Sequence, residues 1–298
     1  QSDNIVLPAN YNGNDYTIAK YAFYGSKNYN SITVAEGNRK YHSSGNCIIE
    51  TQTKTLVAGC KNSVIPDDGS VIKIGFAAFR GCEGLTKISL PECLVSIDLE
   101  AFNNCADLSE IIIPDNVVSV GGMAFMKCGK LKRAVIGENV ELLGGSAFRE
   151  CGALTEIVIP DKVKIIGGAA FAKCGKLLSV TLGRSVESIG KGAFDGCDRL
   201  ICVINKSKLN IVAGERDENG RIGMYAPEIK TDSAEGLKNI DGLLFYTAVG
   251  VNYLVGYIGT ATDLVLPKNY NDEPYVIYNY AFANCVGLTS VVISGDIT

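Results

Sequence analysis

Six Ala-Phe pairs recur with a period that never slips: Phe79, Phe102, Phe125, Phe148, Phe171 and Phe194 each follow the last by 23 residues. Three residues after each Phe stands a cysteine (Cys82, Cys105, Cys128, Cys151, Cys174, Cys197), and three further on a leucine (Leu85, Leu108, Leu131, Leu154, Leu177, Leu200). A fourth column reads Ile74, Ile97, Val120, Leu143, Ile166 and Ile189, each followed by Gly except Ile97, which Asp98 follows. A fifth runs Pro91, Pro114, Gly137, Pro160, Gly183. One unit of this length cannot bury its own apolar side, whereas stacked units share a continuous core. The chain is therefore expected to be a repeat solenoid. The alternation in Leu154–Ile159 predicts a short strand that Pro160 ends, because proline cannot donate to a continuing ladder. Stacking places these strands about 4.8 Å apart in one parallel sheet, with short turns or one-turn helices at Ala-Phe-x-x-Cys on the other side. The glycine pairs at 121–122, 144–145 and 167–168 share the period and are read as turn residues, not as a phosphate-cradling loop.

The ends vary the theme. Residues 5–12 and 21–23 match residues 264–271 and 280–282 at an offset of 259, so a repeat unit stands at both ends. Two longer stretches, Gly37–Cys60 and Gly236–Ile258, each hold a small-residue turn and two apolar runs. Cys47–Ile49 with Thr55–Val57, and Leu243–Phe245 with Tyr253–Val255, are expected to be inserted β-hairpins. Asn205–Glu235 is the least regular stretch, and its Glu215–Arg221 run is read as an exposed loop. The whole is taken as one elongated domain over 1–298: irregular repeats with a hairpin (1–70), the regular array (71–205), and an irregular insertion, hairpin and last repeat (206–298).

With 47% hydrophobic residues in 298, the chain has ample apolar surface to offset ordering entropy, which excludes disorder. No apolar run approaches the ~18 residues of a membrane span, and Gln1-Ser2-Asp3-Asn4 does not read as a signal sequence. The expectation is a soluble, already processed chain. A pI near 5.2 argues against nucleic acid as a partner. Residues 71–205 hold 15 basic and 15 acidic residues, so the net charge of -4 belongs to the flanks.

The pattern Leu-x-x-Ile-x-Ile-Pro-x-x-Val-x-x-Ile-Gly-x-x-Ala-Phe-x-x-Cys resembles the BspA-like leucine-rich repeat of bacterial cell-surface proteins. The likeness covers the six units strictly, and Lys238–Phe245 resembles the family's hairpin units. Gly137 and Gly183 in place of Pro, and Asp98 in place of Gly, are mild departures. The resemblance implies a leucine-rich-repeat right-handed superhelix outside the cell or on its surface, associated with adhesion or host-protein binding. It transfers no catalytic residue and no cofactor.

The residues themselves offer little chemistry. Six of the 11 cysteines share one inward column, so they read as buried thiols acting as small hydrophobes. Cys47 and Cys60, on facing arms of one hairpin, are the pair best placed for a disulfide, and their redox state stays open. No paired short spacing of Cys and His suggests zinc. His42, the only histidine, reads as a solvated loop residue in Tyr41–Gly45. Glu110 and Glu156 stand on equivalent positions two repeats apart, about 10 Å by strand spacing, yet nothing there raises one acid as a glycosidase requires. The enzyme reading is set aside.

A partner would meet the strand residues that point away from the core, a face expected to be concave. Counted from each Leu, they are Lys87 and Ser89, Glu110 and Ile112, Arg133 and Val135, Glu156 and Val158, Ser179 and Thr181, Cys202 and Ile204. One column is charged or polar. The other holds Ile112, Val135, Val158 and Ile204, an apolar stripe flanked by charge, which is either a protein-binding surface or a reflection of strand propensity. Tyrosines cluster at the ends, six up to Tyr41 and seven from Tyr246 on, where they suit recognition or cap the hairpins. The expected function is non-enzymatic recognition of a host or neighbouring-cell macromolecule through the sheet face. The alternatives are a carbohydrate-binding module using the tyrosine-rich ends, and an architectural spacer. Val291–Ser294 reads as an uncapped repeat strand.

Overall fold

The computed structural model describes residues 4–23, 29–226, 228–231, 238–248, 250–278, 281–282, 285 and 287–293. Gln1, Ser2, Asp3, Tyr24, Glu235, Gly236, Tyr280 and Ser294, used in the reading above, lie outside them. The N-terminal unit supplies β1 (Asn4–Leu7), β2 (Ser31–Val34), β3 (Tyr41–Ser44), β4 (Cys47–Glu50) and β5 (Thr55–Gly59). The array adds β6 (Lys73–Ile74), β7 (Ser96–Ile97), β8 (Glu110–Ile112), β9 (Ser119–Val120), β10 (Arg133–Val135) and β11 (Leu142–Leu143). It continues with β12 (Glu156–Val158), β13 (Ile165–Ile166), β14 (Ser179–Leu182), β15 (Ser188–Ile189) and β16 (Cys202–Asn205). After α1 (Ile222–Tyr225) come β17 (Glu228–Lys230), β18 (Lys238–Ile240), β19 (Leu243–Ala248), β20 (Val251–Tyr257), β21 (Asp263–Leu266), β22 (Tyr275–Ile277) and β23 (Ser290–Ile293).

Four turns of the array, from Glu110 to Ile189, contribute two strands each, where the sequence pointed to one sheet. The two-residue strands at the Ile-Gly column form an unbroken sheet in the order β15-β13-β11-β9-β7-β6-β5-β4-β3, into which the N-terminal hairpin is built. The strands from the Leu-x-x-Ile column form a sheet that is interrupted. β8 pairs with β10, and β12-β14-β16-β17 form a separate four-stranded ladder. Segment 86–90, the first copy of this column, joins no ladder. The expected continuous sheet exists, then, on the side where it was not sought. Ala-Phe-x-x-Cys forms a turn in every unit, closed by a bond from the Cys amide to the Phe carbonyl (3.0–3.3 Å).

The core is a stack. Rings of Phe79 through Phe194 lie 5.0–5.4 Å apart and within 13° of parallel. The column leucines are fully buried, and so are Cys105, Cys128, Cys151, Cys174 and Cys197. Each of these five thiols donates to the carbonyl of the Phe 26 residues earlier, at 3.0–3.3 Å. The column prefers cysteine because it is a small apolar side chain that still supplies a donor to a buried acceptor.

The glycine pairs open turns as read, each closed by a bond from the Ala amide to the first glycine's carbonyl (3.2–3.3 Å), but a left-handed backbone is not what selects the first glycine. Gly121, Gly144, Gly167 and Gly190 are not in left-handed backbone. A Cβ on any of them would lie 2.4–2.5 Å from the backbone of the preceding turn, so close approach of two chains is what excludes a side chain. The left-handed positions of these turns are held by other residues, among them Met123, Ser146 and Ala169. Gly144→Ala is therefore expected to destabilise by about 1–3 kcal/mol. Gly152→Ala, where a Cβ meets nothing within 4 Å, should be neutral. Thermal scans of the two variants check this, and equal midpoints would contradict it.

Both predicted hairpins form, as β4–β5 and β19–β20. The 259-residue likeness is structural too. β1 pairs with β2 and β21 with β23 in the same parallel register, and Tyr16 and Tyr275 each donate to a proline carbonyl, Pro8 or Pro267, at 2.7 Å. The Glu215–Arg221 run is only partly the loop expected. Residues 216–218 are exposed, but Gly220 is buried and accepts from the Phe194 amide, and Arg221 pairs with Asp195 at 3.0 Å. No helix among the described residues is long and apolar enough to cross a membrane.

Candidate functional site

Register brings the outward residues into rows as their spacing implies. Arg133 lies opposite Glu110 and Val135 opposite Ile112, while Glu156 meets Ser179, Val158 meets Thr181, and these meet Cys202 and Ile204. Ile112 and Val158 are the open apolar positions, 52% and 59% exposed. Lys87, Arg133 and Glu156 are exposed, and Glu110, Val135, Ser179 and Thr181 half-buried. Arg133 pairs with Glu110. Glu156 lies on a different ladder, opposite Ser179, so the register sets neither acid opposite the other.

The far end of the row is not open. Cys202 is fully buried, and Ile204 is half-buried against a cluster that joins Leu178, Ile201 and Cys202 to Leu244, Tyr246 and Val255 of the C-terminal hairpin. The hairpin lies over this end of the sheet, and the accessible stripe stops at Thr181. Burial pushes the Cys202 thiol up, and the Tyr246 phenol likewise. At the opposite end the face deepens. Where segment 87–90 leaves the ladder, a cleft of about 280 Å³ opens between Lys87, Ile88 and Ser89 on one side and Glu110 and Ile112 on the other. The interrupted ladder thus turns part of a flat face into a concavity, with a lysine, a glutamate and an isoleucine at its mouth.

Two features escaped the sequence reading. The side of the continuous sheet has its own exposed apolar residues: Leu142 and Ile165 in its strands, and Val95, Leu99, Val118 and Met123 in the segments that flank them, each 38–47% exposed. The doublets Leu142-Leu143 and Ile165-Ile166 were the available signal, since adjacent residues of a strand cannot both face the core. The second is a cavity of about 450 Å³ between the N-terminal segment and the first turns of that sheet.

The remaining candidates for chemistry are quiet. His42 sits in β3, not in a loop, with Nδ1 2.8 Å from Thr51 Oγ1. Cys47 and Cys60 are free thiols, and the strand partner of Cys47 is Gly59. Among the described residues no group of three or more His, Cys, Asp or Glu is placed to hold a metal ion.

A family model described as the BspA type leucine rich repeat region matches residues 58–177 and 143–214, in six copies. No curated protein matches the chain. Among solved structures, a leucine-rich repeat protein from Eubacterium ventriosum is similar with a TM-score of 0.56 and 22% identity, over 73% of this chain and 63% of that one. The chain thus spans under two thirds of that protein's length. A leucine rich repeat protein of T. pallidum is 33% identical over 56% of this chain and 79% of its own, with a TM-score of 0.48. The pneumococcal vaccine antigen PcpA is 16% identical, with a TM-score of 0.50, over 78% of this chain and 56% of its own.

Proposed function

Because this chain belongs to the BspA-type leucine-rich repeat family, we propose that it is a non-enzymatic recognition protein, acting as one unit outside the cell or on its surface. It would bind a host or neighbouring-cell protein through the face bearing Lys87, Glu110, Ile112, Arg133, Val135, Glu156, Val158, Ser179 and Thr181. The observation that carries this reading is the pairing of open apolar residues, Ile112 and Val158, with a cleft and a charged row on the same side of the molecule. Apolar anchors rimmed by charge are the usual make-up of a protein-binding surface, and strand propensity alone does not account for a cleft beside them. Ile204 is left out, because the hairpin packs on it.

Ile112→Asp/Val158→Asp places two charges where an apolar partner would sit while leaving the core untouched. Against immobilised collagen, laminin and fibronectin, the double variant is expected to lose at least ten-fold in affinity with an unchanged thermal midpoint. Leu142→Asp/Ile165→Asp, on the other sheet, should bind like the parent. The reverse pattern would move the partner to the continuous sheet, and a parent that binds no protein of the panel would favour the spacer.

A further inference from the structure

The first turn of the array differs from all the others on the outer side of the continuous sheet. At the position two residues after the Ile column the chain carries Phe76, then Leu99, Gly122, Gly145, Gly168 and Lys191. The one aromatic in this series stands where the N-terminal segment Ile18–Phe23 crosses over the sheet and walls off the cavity of about 450 Å³. Tyr21 meets Phe76 edge-on, with ring centroids 4.7 Å apart, and Lys20 Nζ lies 5.4 Å above the Phe76 ring. The rest of the lining mixes apolar residues, among them Ile18, Val57 and Phe79, with polar groups of both signs. Lys73 and Asp98 form a pair at 2.9 Å, and the Glu50 carboxylate accepts from the Thr53 hydroxyl.

The wall chemistry narrows what can enter. An anion would face Glu50 and Asp98, a cation would face Lys20, Lys73 and Arg80, and an apolar molecule would strip water from all five. A neutral molecule with several hydroxyls meets both kinds of group at once, because each hydroxyl donates and accepts. The aromatic pair then offers an apolar surface to the C–H side of a ring. The volume lies within the usual range for small-ligand sites, which join apolar walls to a few placed polar groups. We propose that this cavity binds the end of a neutral glycan, at a site separate from the protein-binding face.

Isothermal titration of the whole chain with neutral gluco-, manno-, galacto- and xylo-hexaoses, and with heparin hexasaccharide as the anionic counterpart, tests this. At least one neutral hexaose should saturate a single site. Glu50→Gln, which keeps the shape and removes the charged acceptor, and Tyr21→Ala should each weaken it ten-fold or more. Ile112→Asp/Val158→Asp should leave it unchanged, which separates failure here from failure of the protein-binding reading. Because Tyr21 also stacks beneath Arg80, the Glu50 variant decides if Tyr21→Ala lowers the thermal midpoint. Binding of heparin alone, no heat with any neutral hexaose, or an unaltered affinity in Glu50→Gln would overturn the proposal.

Discussion

Phe148→Ala is expected to destabilise the protein by about 3–5 kcal/mol, the range for removing a fully buried aromatic ring. Phe148 is 0% exposed and sits between Phe125 at 5.1 Å and Phe171 at 5.4 Å, with the three planes nearly parallel. The lost area is one part of the cost. The other is that neither neighbour can move into the gap, because the turns are held by backbone contact at Gly144 and Gly167. A solenoid is stabilised turn against turn, so a break at the middle also separates the two halves of the array. Unfolding followed by circular dichroism should therefore become broader or biphasic. Cys93→Ala, at a half-buried thiol outside the stack, supplies the comparison. A loss below 1 kcal/mol, or a single transition as sharp as that of the parent, would mean that the rings are not what couples the turns.

Alkali should unfold the protein far more steeply than its carboxylates and lysines would suggest. Burial pushes the Cys128 and Cys174 thiols up to about 12, and those of Cys105, Cys151 and Cys197 well above their ordinary value. In the unfolded chain a thiol loses its proton near pH 8.5. Between that pH and about 12 the unfolded state binds fewer protons than the folded one, so stability falls as pH rises. Each thiol contributes about 1.4 kcal/mol per pH unit, and five together about 7 kcal/mol per unit. A chain that is folded at pH 8, with these five thiols closed to reagent, should thus unfold by about pH 10, with their labelling following the loss of circular dichroism. Cys128→Ala/Cys174→Ala should reduce the slope by about 2.7 kcal/mol per unit. Labelling of these thiols ahead of unfolding would refute the sealed column.

What the sequence makes legible is what repeats. Phe, Cys and Leu columns each meet the same surroundings in every turn, so one correct placement serves six times, and both hairpins stand out by their paired apolar runs. The interrupted ladder is a different matter. The break between β10 and β12 falls at Ala134, where other units carry Ile or Val, but no local signal announces that segment 86–90 leaves the sheet as well. Cys202 and Ile204 look outward by alternation and are covered by Leu244, Tyr246 and Val255, 40 to 53 residues downstream, which no short-range rule can see. Glycines 121, 144 and 167 were visible as a period and as turn residues, whereas the close approach of two turns that also excludes a side chain there is a property of the stack and not of any one unit. The N-terminal cavity needs Lys20 and Tyr21 beside Phe76, a meeting that only the folded chain arranges.

The ring stack also bears on how such a chain can change over generations. Each interior turn presents to its successor the same surface that it received from its predecessor: one ring at about 5 Å, one carbonyl for the next thiol, one bare glycine backbone. Duplication or excision of a 23-residue block therefore rejoins matching surfaces, whichever interior turn is involved. Length is a variable that can drift without the fold being reinvented, and the outward residues of each block travel with it. The two hairpin-bearing ends, which no interior turn can replace, are the parts such drift has to leave alone.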